Sequence, residues 1–261
     1  MAFIIDRFKK YNFLFEELVK RDFKKRYKRT VLGILWSMLG PLLQLLVMSL
    51  VFTHFFGRDT PHFTIYMFAG ILVFSYFKES TVAGMQTLTA NSGIITKIKV
   101  PKYIFLLSKN VSSLINFLLM LIIFFVFAAV DGISFSPRFI LLLYPIICLL
   151  IFNIGMGLIL SALYVFFRDV QYLYDIFTLL LMYMSAIFYN VKDFPYAIQR
   201  LLLFNPVYTY IHYFRLVVLP QHDGVVPSLN VHLICGFYAL AAIVIGSIIY
   251  KKCNYRFVYY L

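Results

Sequence analysis

The stretch KRDFKKRYKRTVLGILWSMLGP, positions 20–41, limits the possible folds more than any other part of the chain. Eight of the ten residues from Lys20 to Arg29 are charged and seven of these are basic. The run that follows contains no Asp, Glu, Lys or Arg until after Phe56. Basic residues beside a first hydrophobic span are held on the cytoplasmic side of a membrane. The pattern therefore predicts an amino terminus inside, a first span directed outward, and a polytopic membrane protein whose later elements inherit that orientation.

A net charge of +13 would also suit a nucleic acid, so the placement of the charges has to decide. Most Lys and Arg residues fall in segments that this topology puts inside, a segregation by loop parity that a nucleic-acid patch would not produce. Only 13% of residues are charged and 62% are hydrophobic, against about a quarter charged in soluble domains. Cys148, Cys235 and Cys253 are odd in number and far apart, and imply no disulfide framework. The first 30 residues are charged throughout and lack the apolar centre of a cleavable signal, so the first span is expected to act as its own targeting signal.

Hydropathy and punctuation then divide the chain. Residues 1–32 carry apolar positions at helical spacing, among them Ile4, Phe8, Tyr11, Phe15 and Leu18. They predict an amphipathic helix at the cytoplasmic interface, the alternative being a helix docked on other protein. Residues 33–261 predict an all-α integral membrane domain with six transmembrane helices, at about 33–56, 64–90, 103–130, 139–165, 173–190 and 229–250, and both termini cytoplasmic. The outer segment 191–228 holds two helices too short to cross, expected to be re-entrant or interfacial. Asn205 as cap and Pro206 at the first helical position open the second of these, which ends at Leu219. Gly155, Gly157 and Ser161 in the fourth span permit close helix contact. The two sets of three spans share no matching breaks, which weighs against an inverted-repeat secondary transporter.

The second span is unusual. Its apolar part, Ile65 to Phe77, is 13 residues, about 20 Å of helix against a hydrocarbon core of ~30 Å. The remaining depth falls to the polar run KESTVAGMQTLTAN, whose residues Ser75, Lys78, Glu79, Gln86 and Thr89 share one helical face. A charge at the bilayer centre costs about 2.5–3.5 kcal/mol on insertion scales, so this face is expected toward a dimer axis or a water-filled path.

No G-x-x-x-x-G-K-[ST], H-E-x-x-H, G-x-S-x-G or paired-cysteine metal motif occurs, so ATP and Mg2+ are expected to bind a separate chain. A polytopic lipid-modifying enzyme would need paired acids or a His-Asp pair at one membrane face, and none stands out. His54, His62, His212, His222 and His232 all fall on the outer half, but at spacings that match no metal-ligand pattern. The 20 Tyr and 29 Phe fit membrane belts and packing, with a subset able to line a conduit for sugar rings.

Several of these motifs, taken in order, resemble one family. The run Asp22-Phe23-Lys24-Lys25-Arg26-Tyr27-Lys28 through Leu32-Gly33, with Trp36 and Pro41, is similar to the entrance of the ABC exporter permeases for polysaccharide, O-antigen and teichoic acid. Phe167-Arg168-Asp169-Val170, Asn205-Pro206 and Tyr255-Arg256-Phe257 continue the likeness to the end of the chain. The resemblance implies a type 2 ABC exporter permease: a homodimer in the bacterial inner membrane, paired with two copies of a cytoplasmic ABC ATPase. Its cargo would be a lipid-linked glycan moved outward between the two permeases. It also implies that Arg26, Lys99, Lys102, Arg168 and Asp169 couple to the ATPase, and that Asn205, Pro206, Tyr208, His212 and Arg215 belong to the outer re-entrant segment. The chain departs from the pattern at Ser185-Ala186-Ile187, where relatives often carry Pro before the Ile, and at Lys78 and Glu79, where small or neutral residues are expected. A permease for a small hydrophobic molecule remains the alternative, distinguished by an apolar lining.

Overall fold

The computed structural model describes residues 2–27, 39, 40, 42, 43, 46, 47, 50, 51, 62–98, 100–191, 194–219 and 227–260, and all regular structure among them is helical. Helix α1 is Ala2–Tyr27, α2 Phe63–Ala90, α3 Tyr103–Val130 and α4 Leu143–Phe166, the last preceded by a 3-10 turn from Pro137. Helix α5 is Val170–Met184, α6 Tyr196–Leu202, α7 Pro206–Val218 and α8 Leu229–Cys253. Short helical turns at Ser92–Ile95 and Phe257–Tyr260 complete the described set. Most of the predicted first span, 33–56, lies outside the described residues; those described between 39 and 51 are helical.

Among the described residues, three helical stretches, Tyr103–Val130, Pro137–Phe166 and Leu229–Cys253, are long and apolar enough to cross a membrane. Their limits follow the sequence punctuation: Pro101-Lys102 precedes α3, Asp131-Gly132 ends it, and Gly132 turns the chain with φ 83°. The fifth element departs from expectation. Where a span at 173–190 is expected, the helix α5 runs Val170–Met184, and the chain leaves it at Ser185 with Ala186 at φ 50°. Fifteen residues make about 22 Å of helix, short of the ~30 Å core.

The bundle centres on α4, which packs against α8 on one side and α2 on the other, while α2 also packs against α3. Glycine sets these distances. A methyl group on Gly84 would sit 3.0 Å from the Gly157 Cα, so α2 and α4 meet backbone to backbone. At the end of the bundle away from α1, Phe68, Phe124 and Phe214 join α2, α3 and α7 through edge-to-face contacts with centroids 5.3 Å apart.

Helix α1 docks where α2 ends and α3 begins. Leu18 is buried with Leu88, Ile104 and Phe105, and Asp22 is buried beside it. Asp22 pairs with Lys109 of α3 at 3.0 Å and accepts from Arg21, whose guanidinium also reaches Asn91 at 2.8 Å. The face bearing Phe13 stays exposed, so the helix is docked on one side and amphipathic on the other.

Candidate functional site: a polar groove between α2 and α5

Helices α2 and α5 run antiparallel with few direct contacts, and a groove of about 560 Å3 lies between them. Two ties hold its end next to the α4–α5 turn. Gln171 Oε1 accepts from Gln86 Nε2 and from Tyr164 Oη, each at 3.2 Å, and Tyr174 Oη donates to Thr81 Oγ1 at 2.6 Å. The opposite end is walled by Met182 and Ile187.

Ser75, Lys78, Glu79 and Gln86 line this groove, so four of the five residues of the predicted polar face share one surface. Thr89 is not part of the lining; its hydroxyl donates back to the Gln86 carbonyl at 2.9 Å. Lys78 is exposed within the chain, and Glu79 is half-buried with Oε2 accepting from Asn116 Nδ2 of α3 at 2.9 Å. Both adjacent charges thus reach the groove, and Glu79 also meets a polar partner from α3. Sequence reasoning missed Asp175, which brings a second carboxylate to the groove from α5. The cost of a carboxylate inside an apolar helix singles out Asp175 by the same logic that singled out Glu79.

The inner residues assigned by resemblance do not form one cluster. Arg26 lies in the last turn of α1, and Lys99 is outside the described residues. Lys102 Nζ donates to the Asn254 carbonyl at 2.7 Å and lies over the Phe257 ring, tying the start of α3 to the tail. Burial there pulls the Lys102 ammonium below the usual lysine range. Arg168 and Asp169 are exposed in the tight α4–α5 turn, with Arg168 stacked over Tyr164 rather than turned to its neighbour.

The outer segment divides in two. Helix α6 has no buried residue, whereas α7 is buried along most of its length against α2 and α8. Asn205 caps α7 as its position predicts, accepting from Val207 and Tyr208 backbone N–H groups at 3.0 and 3.2 Å. Tyr208 is buried and stacks on His212 with centroids 5.6 Å apart. Arg215 is 2% exposed, deep among backbone carbonyls at the end of α5. Of the histidines, His62 meets Asp131, and His232 meets Tyr213 and the Ser228 carbonyl. His54 and His222 lie outside the described residues. No cluster able to hold a metal occurs among the described residues.

An apolar helical bundle with a charged groove can pass or exclude a polar solute. The model of the family described as ABC-2 type transporter matches residues 14–219. The chain is similar to an O-antigen export system permease protein RfbA of Klebsiella pneumoniae, 30% identical over 257 residues, covering 95% of this chain and 96% of that one. It is 23% identical over 239 residues to the polysialic acid transport protein KpsM of Escherichia coli, covering 90% and 92%. The capsule polysaccharide export inner-membrane protein CtrC of Neisseria meningitidis is 22% identical over 196 residues, covering 73% of each chain.

Proposed function

The chain belongs to the ABC-2 type transporter family, and from that premise we propose that it is the permease subunit of an exporter for a lipid-linked surface polysaccharide. It is a transport subunit rather than an enzyme, and ATP with Mg2+ binds a separate ABC ATPase chain. The observation that carries this reading is the match to an O-antigen export permease over nearly the full length of both chains. The polar groove supports it, since a drug permease wants an apolar vestibule where this chain has Ser75, Lys78, Glu79, Gln86 and Asp175.

The finer architecture is part of the proposal. The permease sits in the bacterial inner membrane with six spans, of which α2 and α5 are the two that are polar or short. The positive-inside pattern supports cytoplasmic termini. It acts as a homodimer with two ATPase copies, and the exposed apolar residues of α5, such as Ile176, Leu180 and Tyr183, suit a partner permease or lipid beside the groove. Ser75, Lys78, Glu79 and Gln86 then face the dimer axis. Arg26, Lys99, Lys102, Arg168 and Asp169 lie on the ATPase side, and α6 and α7 form the outer re-entrant pair.

Removing the chain from cells that make such a polymer tests the reading. Polymer is expected to accumulate on the inner face, shielded from added glycosidase, with export restored by the intact chain. Polymer reaching the surface at wild-type levels without the chain would overturn it.

A further inference from the structure

Helix α5 stops short, so its last carbonyls need partners that a lipid environment cannot supply. Side chains supply them. Ser185 Oγ donates to the Leu181 carbonyl at 2.6 Å, and Asn205 Nδ2 donates to the Met184 carbonyl at 3.3 Å and to Ser185 Oγ at 3.0 Å. Beyond the break, Arg215 takes over: Nη1 donates to the Ala186 carbonyl at 2.8 Å and Nη2 to the Ile187 carbonyl at 3.2 Å. Its Nε donates to the Tyr66 carbonyl at 3.0 Å, and the guanidinium lies 3.4 Å from the Tyr66 ring centroid. Tyr66 Oη completes the cap by donating to the Tyr189 carbonyl at 2.9 Å. One helix, α7, therefore grips the broken end of α5 at both of its own ends, through Asn205 and through Arg215.

Three features separate this from ordinary packing. The left-handed Ala186 turns its carbonyl to the guanidinium in a conformation that favours glycine and that proline, with φ fixed near −65°, cannot adopt. Gly70 of α2 leaves room for the arrangement, since a methyl group there would sit 2.7 Å from Arg215 Nη2 and 3.2 Å from Ile187 Cγ2. Ile187, held by the same guanidinium, is fully buried and walls the outer end of the charged groove.

We infer that Arg215 is a positioning residue for export, which caps the broken end of α5 and thereby holds Ile187 as the closed outer wall of the groove. Opening the groove outward requires the guanidinium to release the Ala186 and Ile187 carbonyls. The planar fork of arginine suits this better than an ammonium, because one side chain reaches two successive carbonyls and a third from α2. The inference rests on reading the chain as an export permease, and its test separates the two.

The purified full-length chain carrying Ile187→Cys, with Cys253→Ser to remove the partly exposed native thiol, is treated in detergent with a fluorescent maleimide. With Arg215 present, labelling is expected to be slow, matching the buried Cys148 and Cys235. Adding Gly70→Ala or Arg215→Gln is expected to speed it about tenfold, the population shift from losing a charge-assisted hydrogen bond, with Arg215→Lys intermediate. Gly70→Ala keeps the argument testable if substitutions at 215 do not fold, because the added methyl displaces only the tip of a flexible side chain and Ile187. In the complex with its ATPase, the same variants are expected to keep ATP hydrolysis while losing export. Unchanged labelling in folded Gly70→Ala and Arg215→Gln protein would overturn the cap, whereas failure of the unmodified chain to export would count against the permease reading alone.

Discussion

Gly155 of α4 lies against the backbone of Ala242 in α8, and a methyl group added there would overlap the Ala242 carbonyl carbon and sit 2.5 Å from its oxygen. Gly246, one helical turn along α8, faces the Gly155 carbonyl in return. Between membrane helices, where lipid removes most of the hydrophobic gain from association, such close approach is the main source of packing energy.

Gly155→Ala is therefore expected to lower the melting temperature of the purified protein. The overlapping atom is backbone, so the two helices must separate, at a cost of about 1–3 kcal/mol. Gly93→Ala, where an added methyl meets nothing within 4 Å, should stay within about 0.5 kcal/mol of the parent. Equal melting of the two variants would show that the contact is not tight.

The groove predicts selective chemistry. Cysteines at Ser75 and Lys78 should react with a water-soluble thiol reagent, faster during ATP turnover, while Leu118→Cys on the exposed apolar face of α3 stays unreactive. Permanent protection at 75 and 78 would mark the polar stripe as a seal and not a path.

Much of this was legible in the residues, and the rest was not for identifiable reasons. The α3 limits could be read because Pro101-Lys102 and Asp131-Gly132 interrupt a continuous apolar run. The Asn205 cap could be read because it is local chemistry between residues two and three apart. The stripe from Ser75 to Gln86 could be read because helical geometry alone puts those residues on one face. The break after Met184 could not. Ser185-Ala186-Ile187 contains neither Gly nor Pro, and what stabilises the turn arrives from Arg215, some 30 residues later, and from Tyr66 in another helix. Periodicity puts Thr89 on the stripe, but its hydroxyl bonds to the Gln86 carbonyl of its own helix.

Asp22 anchors α1. Replacing it with Ala leaves Lys109 and Arg21 without their carboxylate, at a cost of about 1.5–3 kcal/mol for hydrogen bonds to a charged group. Faster hydrogen exchange across residues 11–25 is the expected readout, and exchange matching the parent would show that Leu18 alone holds the helix.

Arg168→Ala and Asp169→Ala are expected to uncouple the cycle, leaving ATP hydrolysis by the complex near normal while surface glycan falls. The α4–α5 turn is too short for an independent domain, yet it exposes both charges next to the Gln86–Gln171 tie. Normal surface glycan in both variants would show that the segment is only a turn.

The central claim is that this chain is a conduit whose energy comes from another protein. Purified into proteoliposomes alone, it is expected to hydrolyse no ATP; reconstituted with a separate ABC ATPase, it should hydrolyse ATP and move lipid-linked glycan across the bilayer in proportion. Robust hydrolysis by the chain alone, or glycan transfer that continues without the ATPase, would contradict the account.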